Sequence, residues 1–255
     1  MCAMCRGLTQ WGVSPFFIPI FTITGRGKKL SYLSVNIFDI LGPVMVGPSS
    51  SHTAGAVRIG RVALKLLKEK AVFADIMLYG SFADTGKGHG TDRALVAGIL
   101  GMREDDVRIP RSLELAKETG LSFFFSKTDT LNDAHPNTAL LTLQGEQGKK
   151  ISVQASSIGG GRIMINKLDG ISVNFSAEMP TLIVHNYDLP GHIAAVTGLL
   201  YRNGINIASM HLSRVSRGSY AVMVIETDQK LPSGILSEIE SYKGIIKVTY
   251  FDGEE

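Results

Sequence analysis

Cysteine is nearly absent from this sequence, which has 255 residues and only two cysteines, Cys2 and Cys5. Both lie within the first 34 residues, so residues 35–255 contain no thiol. This distribution excludes a disulfide-stabilised fold, because such folds need cysteines spread along the chain. It also excludes a thiol nucleophile and an all-cysteine metal site from residues 35–255. The two cysteines have the spacing of a redox or half-zinc motif, but no second ligand pair stands near them.

The sequence also lacks an apolar run long enough to cross a membrane. Its apolar N-terminal stretch, residues 11–24, is shorter than the ~20 residues of a transmembrane helix and is interrupted by Pro15 and Pro19. No cleavage site of the Ala-x-Ala type follows, as a secretory signal would require. We therefore expect a cytoplasmic protein with no membrane partner. We interpret residues 1–34 as an N-terminal extension that is disordered or that reflects a start codon set too early.

A strong charge bias is missing as well, since 26 Lys and Arg residues face 23 Asp and Glu residues, a net charge of +3. Four basic residues and no acidic residue lie within residues 1–34, so the body of the chain is close to neutral. The basic residues of the first predicted helix also have ordinary amphipathic spacing. Nucleic acid is therefore not an expected partner.

Hydrophobic periodicity predicts an α+β fold for the first part of the body. Residues 51–71 carry apolar side chains at helical spacing after a serine-rich loop suited to an N-cap. Two further helices are predicted at residues 93–100 and at residues 112–120, the latter with Ser112 as its cap. The predicted strands are residues 73–79, 123–125, 139–143, 151–155, 163–168 and 171–175. The Asp169-Gly170 pair predicts a tight hairpin between the last two strands.

The C-terminal 70 or so residues read as a separate unit with the element order βαββαβ. Strands are predicted at residues 181–186, 205–215, 220–227 and 245–251, and helices at residues 191–202 and 233–242. This order predicts a ferredoxin-like arrangement, a four-stranded antiparallel sheet with two helices on one face. We divide the chain into residues 1–34, 35–178 and 180–253.

Hydroxyl groups and a histidine cluster at the start of the first predicted helix. The segment is Gly47-Pro48-Ser49-Ser50-Ser51-His52-Thr53. Unpaired backbone N–H groups at a helix start attract a carboxylate or phosphate, and the hydroxyls add further donors. A well-capped loop would explain part of the pattern, but four hydroxyls beside one histidine exceed what a cap requires. We therefore favour a functional role.

A second glycine-rich segment contains Gly86-Lys87-Gly88-His89-Gly90-Thr91-Asp92, a short distance after Tyr79-Gly80-Ser81. The flanking glycines leave Lys87 and His89 accessible to a ligand. Neither the phosphate-loop nor the dinucleotide-binding spacing is present. The segment therefore indicates proton transfer or anion binding, and an irregular turn is the alternative.

Two further segments carry weaker signals. His135-Pro136-Asn137-Thr138 places two hydrogen-bonding side chains around a rigid proline. The segment Ser156-Ser157-Ile158-Gly159-Gly160-Gly161 forms either an anion-binding nest or a bulge or hairpin connection, and the sequence favours neither. In the C-terminal unit, His185, His192 and His211 are expected to have packing or surface roles.

The segments GPSSSHTAGAVRIGRVA, LYGSFADTGKGHGTDRALVAGIL, HPNTA and SIGGG closely resemble the β chain of the iron–sulfur L-serine dehydratases. The resemblance runs from about residue 36 to residue 251. It implies a domain similar to the allosteric substrate-binding domain of some phosphoglycerate dehydrogenases, followed by an ACT domain. It also implies a separate α chain whose cysteines hold a four-iron four-sulfur cluster, with no metal ligand in this chain.

The resemblance implies deamination of L-serine to pyruvate and ammonia, in which a cluster iron acts as a Lewis acid on the β-hydroxyl while a base removes the α-proton. It further implies that His89 is the first candidate for proton transfer and His52 the second. The implied substrate-binding residues are Ser49, Ser50, Ser51, Thr53, Lys87, His135 and Asn137. An effector would bind the ACT-like unit at Asp188, Gly191 and Asn206, and the ACT-like sheets would associate two copies. A regulatory protein that senses an amino acid without catalysis is the alternative.

Overall fold

The structure is a computed structural model that describes residues 43–86, 88–131 and 134–253. The proposed extension at residues 1–34 and the side chain of Lys87 lie outside the described residues. Within the described residues, the helices are α1 (Gly55–Leu67), α2 (Ser81–Thr85), α3 (Thr91–Ile99), α4 (Ser112–Glu118), α5 (His192–Arg202) and α6 (Ile235–Glu240). The strands are β1 (Ala71–Tyr79), β2 (Ser122–Thr128), β3 (Thr138–Gly145), β4 (Lys150–Gly159), β5 (Arg162–Leu168), β6 (Ile171–Phe175), β7 (Thr181–Tyr187), β8 (Ile207–Arg214), β9 (Tyr220–Thr227) and β10 (Ile245–Phe251).

The first six strands form one sheet in the order β2-β1-β3-β4-β5-β6. Strands β1 and β2 run parallel, while the other neighbouring pairs are antiparallel. The parallel pair follows from the connection, because helices α2, α3 and α4 lie between β1 and β2 and return the chain to the same edge of the sheet. The predicted hairpin at Asp169-Gly170 is confirmed, since both residues adopt positive φ angles of 51° and 80°.

Helix α1 covers one face of this sheet. Alternate residues of β1, among them Ala74 and Ile76, are buried in the core that also contains Ile59 of α1. The opposite face carries Phe73 and Phe124, whose side chains are 42% and 61% exposed. The register pairs Asp75 with Phe124, so these residues continue one face by strand alternation. Part of this face therefore presents aromatic surface to solvent.

Two glycines allow helices α1 and α3 to approach closely. A Cβ atom on Gly60 would lie 2.3 Å from the carbonyl oxygen of Leu95, and one on Gly98 would lie 2.0 Å from the carbonyl oxygen of Val57. Real side chains do not tolerate such distances, so the backbones pack at this spacing only with glycine at both positions. The helix pair brings the loop before α1 and the loop before α3 side by side.

Two local predictions need correction. Ser112 does not cap helix α4: the cap position is Arg111, and the buried Ser112 hydroxyl donates instead to the carbonyl oxygen of Arg93, 2.7 Å away. The tertiary hydrogen bond therefore replaces the local one. The first helix also begins differently, because residues Ser50–Ala54 form a π-helical turn before the regular helix starts at Gly55. Such a turn is wider than an α-helix, and it occurs often at functional sites.

The C-terminal unit has the predicted βαββαβ order, with a four-stranded sheet ordered β10-β7-β9-β8 and all pairs antiparallel. Leu182 and Val184 of β7 pack with helices α5 and α6 in one core. Ile183, on the other face of the same strand, belongs to the core of the first sheet. The ferredoxin-like prediction is confirmed, and the sheet's second face packs on the preceding part of the chain.

Candidate functional site

The serine-rich loop holds His52 by hydrogen bonds at the start of the π-helical turn. Ser49 is the N-cap, and its Oγ accepts a hydrogen bond from the His52 backbone N–H at 3.2 Å. The same oxygen lies 3.4 Å from His52 Nδ1. Ser50 and Ser51 lie within the turn and are partly buried. The predicted capping role of the loop is thus carried by Ser49.

Ser81 fixes the other side of the His52 ring. His52 Nε2 and Ser81 Oγ share a hydrogen bond of 2.9 Å, and the Phe82 ring packs edge-on against the imidazole at 5.4 Å between centroids. Gly80 places Ser81 there with φ 56° and ψ −129°, a conformation that favours glycine. Ser81 stood in a predicted glycine segment but was not predicted as a site residue, because only the tertiary structure shows its contact with a residue 29 positions earlier.

The structure brings together His52 and His89, one from each of the two loop segments. Their ring centroids are 5.0 Å apart, and the Thr53 hydroxyl donates to the His89 carbonyl oxygen at 3.3 Å. The Nδ1 atom of His89 is buried and has no hydrogen-bond partner among the described residues. Because buried polar atoms are almost always paired, this nitrogen is available to a group from outside the described residues.

A small cavity of about 190 Å³ adjoins His89. It is lined by loop residues that include Gly47, Pro48 and Thr53 from the first motif and Gly88, His89 and Gly90 from the second. Arg93, in the first turn of α3, also lines it and adds a cation. Val46, Ile109 and Pro110 complete a lining that is mostly apolar, with Thr53, His89 and Arg93 as its polar side chains. The cavity has the size of a small ligand.

The electrostatics of the histidine pair favour a neutral His52. Burial lowers the pKa of His52 below its usual 6.5, and the charge of the nearby His89 lowers it further, while a hydrogen bond to the Ser81 backbone opposes both effects. A neutral imidazole near pH 7 has one nitrogen lone pair with which to accept a proton or a hydrogen bond. A positive charge on His89 therefore makes it costly to place a second proton on His52.

The His135 loop touches this region through its backbone. The Pro136 carbonyl oxygen accepts a hydrogen bond from the Phe82 N–H at 3.4 Å, and a Cβ atom on Gly80 would lie 2.6 Å from it. The His135 side chain is exposed and lines a separate cavity of about 470 Å³. Asn137 donates its N–H to His135 Nδ1 and accepts at its carbonyl oxygen from the Ser157 N–H. The backbone of this loop therefore contacts the segment that holds Ser81, whereas the His135 imidazole lies at the other cavity.

The glycine segment at the end of β4 is a hairpin connection. Strand β4 continues to Gly159, β5 begins at Arg162, and the three glycines all adopt positive φ angles. The carbonyl oxygen of Gly161 accepts a hydrogen bond of 3.0 Å from Arg58 of α1. Ser157, which sequence reasoning did not single out as a site residue, has a buried hydroxyl without a partner among the described residues.

The predicted effector residues lie at opposite ends of the C-terminal sheet. Asp188 Oδ2 accepts hydrogen bonds of 3.0 Å from both Arg214 and the Gly218 N–H, next to Gly191 at the cap of α5. These contacts lower the pKa of Asp188, the Gly218 bond most strongly. Asn206 instead donates to Asp228, beyond the far end of β9. Within one chain, therefore, the structure does not bring Asn206 to the other two residues.

No metal site is evident among the described ranges 43–86, 88–131 and 134–253, where no three His, Cys, Asp or Glu side chains are grouped suitably. Cys2 and Cys5 lie outside these ranges, so the prediction that this chain ligates no cluster stays a prediction. None of the helices in the described part of the chain is long and apolar enough to span a membrane.

Two family models match the sequence. The model of the serine dehydratase beta chain matches residues 36–121, and that of the ACT domain matches residues 180–244. These matches agree with the resemblance drawn from the loop motifs and from the βαββαβ order.

Three relatives are similar over most of this chain, two of them also over most of their own length. The probable L-serine dehydratase, beta chain, of Bacillus subtilis (strain 168) is 42% identical over 84% of this chain and 96% of the relative. The L-serine dehydratase, beta chain, of Peptoniphilus asaccharolyticus is 40% identical over 79% of this chain and 91% of the relative. The D-3-phosphoglycerate dehydrogenase of B. subtilis (strain 168) is 27% identical over 77% of this chain but only 37% of the relative.

Proposed function

Because the chain belongs to the serine dehydratase beta-chain family, we propose that it is the β subunit of an L-serine dehydratase. It joins an α chain to deaminate L-serine to pyruvate and ammonia. The observation that carries the proposal is the contact between His52 and His89 beside a small cavity that His89 and Arg93 line. The unpartnered His89 Nδ1 requires a hydrogen-bonding group from outside the described residues. The proposed active site is therefore completed by substrate and by the α chain.

His89 is the proposed proton-transfer residue. His89 lines the cavity and its buried Nδ1 has no partner among the described residues, whereas both ring nitrogens of His52 are near the Ser49 and Ser81 hydroxyls. A base that removes the α-proton of serine needs a free lone pair within reach of that carbon. His52 then acts as the second histidine, held in orientation by Ser81 and kept neutral by its surroundings.

The substrate carboxylate is assigned to the loop before α1. Ser49, Ser50, Ser51 and Thr53 surround the start of the helix, where backbone N–H groups and the helix dipole favour an anion. Lys87 and Asn137 remain proposed binding residues. His135 is a less favoured one, because its side chain lines another cavity.

The iron–sulfur cluster is assigned to the α chain in this proposal. The described residues offer no grouped ligands for it. This chain's own contribution is to bind the carboxylate, orient the substrate and move a proton at His89. We accordingly expect the isolated β chain, a cytoplasmic protein, to have no dehydratase activity.

The test is anaerobic co-expression of this chain with its α chain, followed by measurement of pyruvate formed from L-serine. Wild-type pairs should be active, His89→Gln should lose activity by a factor of about 10²–10⁴, and each subunit alone should be inactive. His211→Gln, at an exposed position on β8, is the matched control and should retain activity. Full turnover by the His89→Gln pair would remove His89 from the mechanism.

Amino-acid sensing by the ACT-like unit is the second candidate function. Strand β8 is a sheet edge and exposes Met210 and Leu212 by 44% and 40%. If two copies pair their β8 strands antiparallel about a two-fold axis, the start of one strand lies beside the end of the other. Asn206 of one copy would then approach Asp188 and Gly191 of the other. The three residues could thus form one effector site in a dimer although they lie apart within one chain.

Sensing predicts that L-serine raises the thermal midpoint of the isolated chain and that Asn206→Ala abolishes the rise. No rise with L-serine would count against the effector site without affecting the dehydratase proposal. Limited proteolysis tests the proposed division into residues 35–178 and 180–253, since cleavage between stable domains should fall near residue 179.

A further inference from the structure

Neighbouring strands β4, β5 and β6 place three polar side chains in one row of the first sheet. The register pairs Gln154 with Lys167, and Lys167 with Ser172. Residues that face each other across antiparallel strands project to the same side of the sheet, with their Cβ atoms about 5 Å apart. An amide, an ammonium and a hydroxyl group therefore lie side by side. All three residues line the cavity of about 470 Å³ that His135 also lines.

A β-bulge adds a fourth polar residue to this lining. Asn166 has no partner on β4, because the residues on either side of it pair with two consecutive β4 residues, Ala155 and Gln154. Consecutive residues of a regular strand point to opposite faces of the sheet, but a bulge interrupts that alternation. Asn166 and Lys167 consequently both line the cavity. Bulges that redirect a side chain in this way are over-represented beside functional sites.

Two amides of the lining have hydrogen-bonding groups that the described residues do not pair. Gln154 is only 7% exposed, and its side-chain amide has no hydrogen-bond partner among the described residues. Asn166 Oδ1 accepts a hydrogen bond of 2.7 Å from Ser156 Oγ, but its NH2 group has no partner in the same part of the chain. Because buried amides are nearly always paired, these groups are available to water or to a ligand in the cavity.

Buried hydroxyl groups fix the loop that forms the other side of the cavity. The Thr138 hydroxyl donates to the His135 carbonyl oxygen at 2.6 Å and shares a hydrogen bond of 2.7 Å with Ser156 Oγ. Thr138 and Ser156 are 0% and 2% exposed. His135 Nδ1 accepts a hydrogen bond from the Asn137 N–H, so a neutral His135 carries its proton on Nε2. The loop therefore brings a further N–H donor to the lining.

From this arrangement we propose that the cavity binds a small hydroxycarboxylate. Lys167 has no ion pair among the described residues, and its ammonium and the NH groups of Asn166 and His135 donate to the carboxylate. The Gln154 carbonyl oxygen accepts from the ligand's hydroxyl. The described lining contains no acidic side chain to balance an ammonium, so an amino acid fits less well. The cavity lies within the range of small-molecule sites, about 300–1,000 Å³.

The experiment measures thermal unfolding of the full chain in sodium glycolate, with sodium chloride at equal ionic strength as the reference. At about a tenfold excess over Kd, glycolate should raise the midpoint by about 3–6 °C. Sodium acetate lacks the hydroxyl group, and glycine carries an ammonium in its place. Each should therefore bind at least about tenfold more weakly than glycolate. The measurement needs no α chain, so its outcome does not depend on the dehydratase proposal.

Two variants test the assigned contacts. Gln154→Met replaces the unpaired amide with an apolar side chain of similar length. It should raise the midpoint of the ligand-free chain by about 2–4 °C and lose the response to glycolate. Lys167→Gln, at an exposed position, should fold and bind glycolate at least about tenfold more weakly. The matched control is Gln144→Met on β3, which is not among the lining residues and should respond as the wild type does.

The proposal is overturned if glycolate does not raise the midpoint beyond the sodium chloride reference. It also fails if Gln154→Met or Lys167→Gln responds as strongly as the wild type, because the rise would then reflect exclusion of the solute from the protein surface. Acetate or glycine acting as strongly as glycolate would refute the assigned ligand class. A rise with glycolate that both variants lose and Gln144→Met retains supports the site.

Discussion

The close packing of α1 on α3 makes a strong prediction about Gly98. In most helices a Gly→Ala change stabilises the fold by up to about 1 kcal/mol, because alanine is the better helix former. At Gly98 the new Cβ would lie 2.0 Å from the Val57 carbonyl oxygen, so the helices would have to separate by more than an ångström. Overpacking of this kind costs about 1–3 kcal/mol. We expect Gly98→Ala to destabilise the chain by about 2 kcal/mol.

The matched control is Gly198→Ala in helix α5. There the nearest atom to a new Cβ is the flexible Arg202 guanidinium, 3.5 Å away, so the substitution meets ordinary contact only. It should stabilise the chain by about 0.5–1 kcal/mol. Urea unfolding measures both free energies, and thermal scans should show Gly98→Ala about 4–8 °C below the wild type. If both variants gain stability, helices α1 and α3 do not pack this closely. The packing would then not explain why the two histidine loops lie side by side.

Three further predictions follow from buried or exposed groups. Burial, followed by the charge of Lys247, lowers the pKa of His185 to about 4. Between pH 6.5 and 4 the unfolded chain binds a proton at His185 that the folded chain does not bind. The free energy of unfolding should therefore fall by about 2 kcal/mol from pH 7 to pH 5. Urea titrations of His185→Gln should show no such fall. Ser112→Asp should lower the thermal midpoint more than Ser112→Ala, because a true N-cap would accept Asp whereas the buried Ser112 site would not. Leu212→Lys on the β8 edge should weaken self-association about tenfold or more in sedimentation experiments, and unchanged association would place the contact elsewhere.

Much of the architecture is predictable because it rests on local patterns. Short apolar runs bounded by turn residues predict C-terminal strands such as β7 and β9. The Asp169-Gly170 pair predicts its hairpin, because these residue types tolerate the positive φ angles of the turn. The hydroxyls and glycines mark the loops around His52 and His89 as two separate candidate segments, and only the family resemblance implies that both face one active site. Their contact at 5.0 Å agrees with that interpretation.

The remaining features depend on contacts between distant residues. Ser112 has the composition of a cap, yet its hydroxyl bonds Arg93, 19 positions earlier, because α4 packs beside α3. Ser81 holds His52 only after Gly80 turns the chain. No local sequence pattern predicts the distance between two helices. The role of Gly98 in the close packing of α3 on α1 could therefore not be predicted from the sequence.

The exposed phenylalanines on the first sheet, Phe73 and Phe124, have a consequence for the cell. Phe73 and Phe124 are exposed on a sheet face in this single chain, and exposed apolar patches tend to associate without specificity. A β chain made in excess of its α chain would be at risk of aggregating before it finds a partner. Synthesis of the two chains in similar amounts would shorten the time for which this surface is exposed.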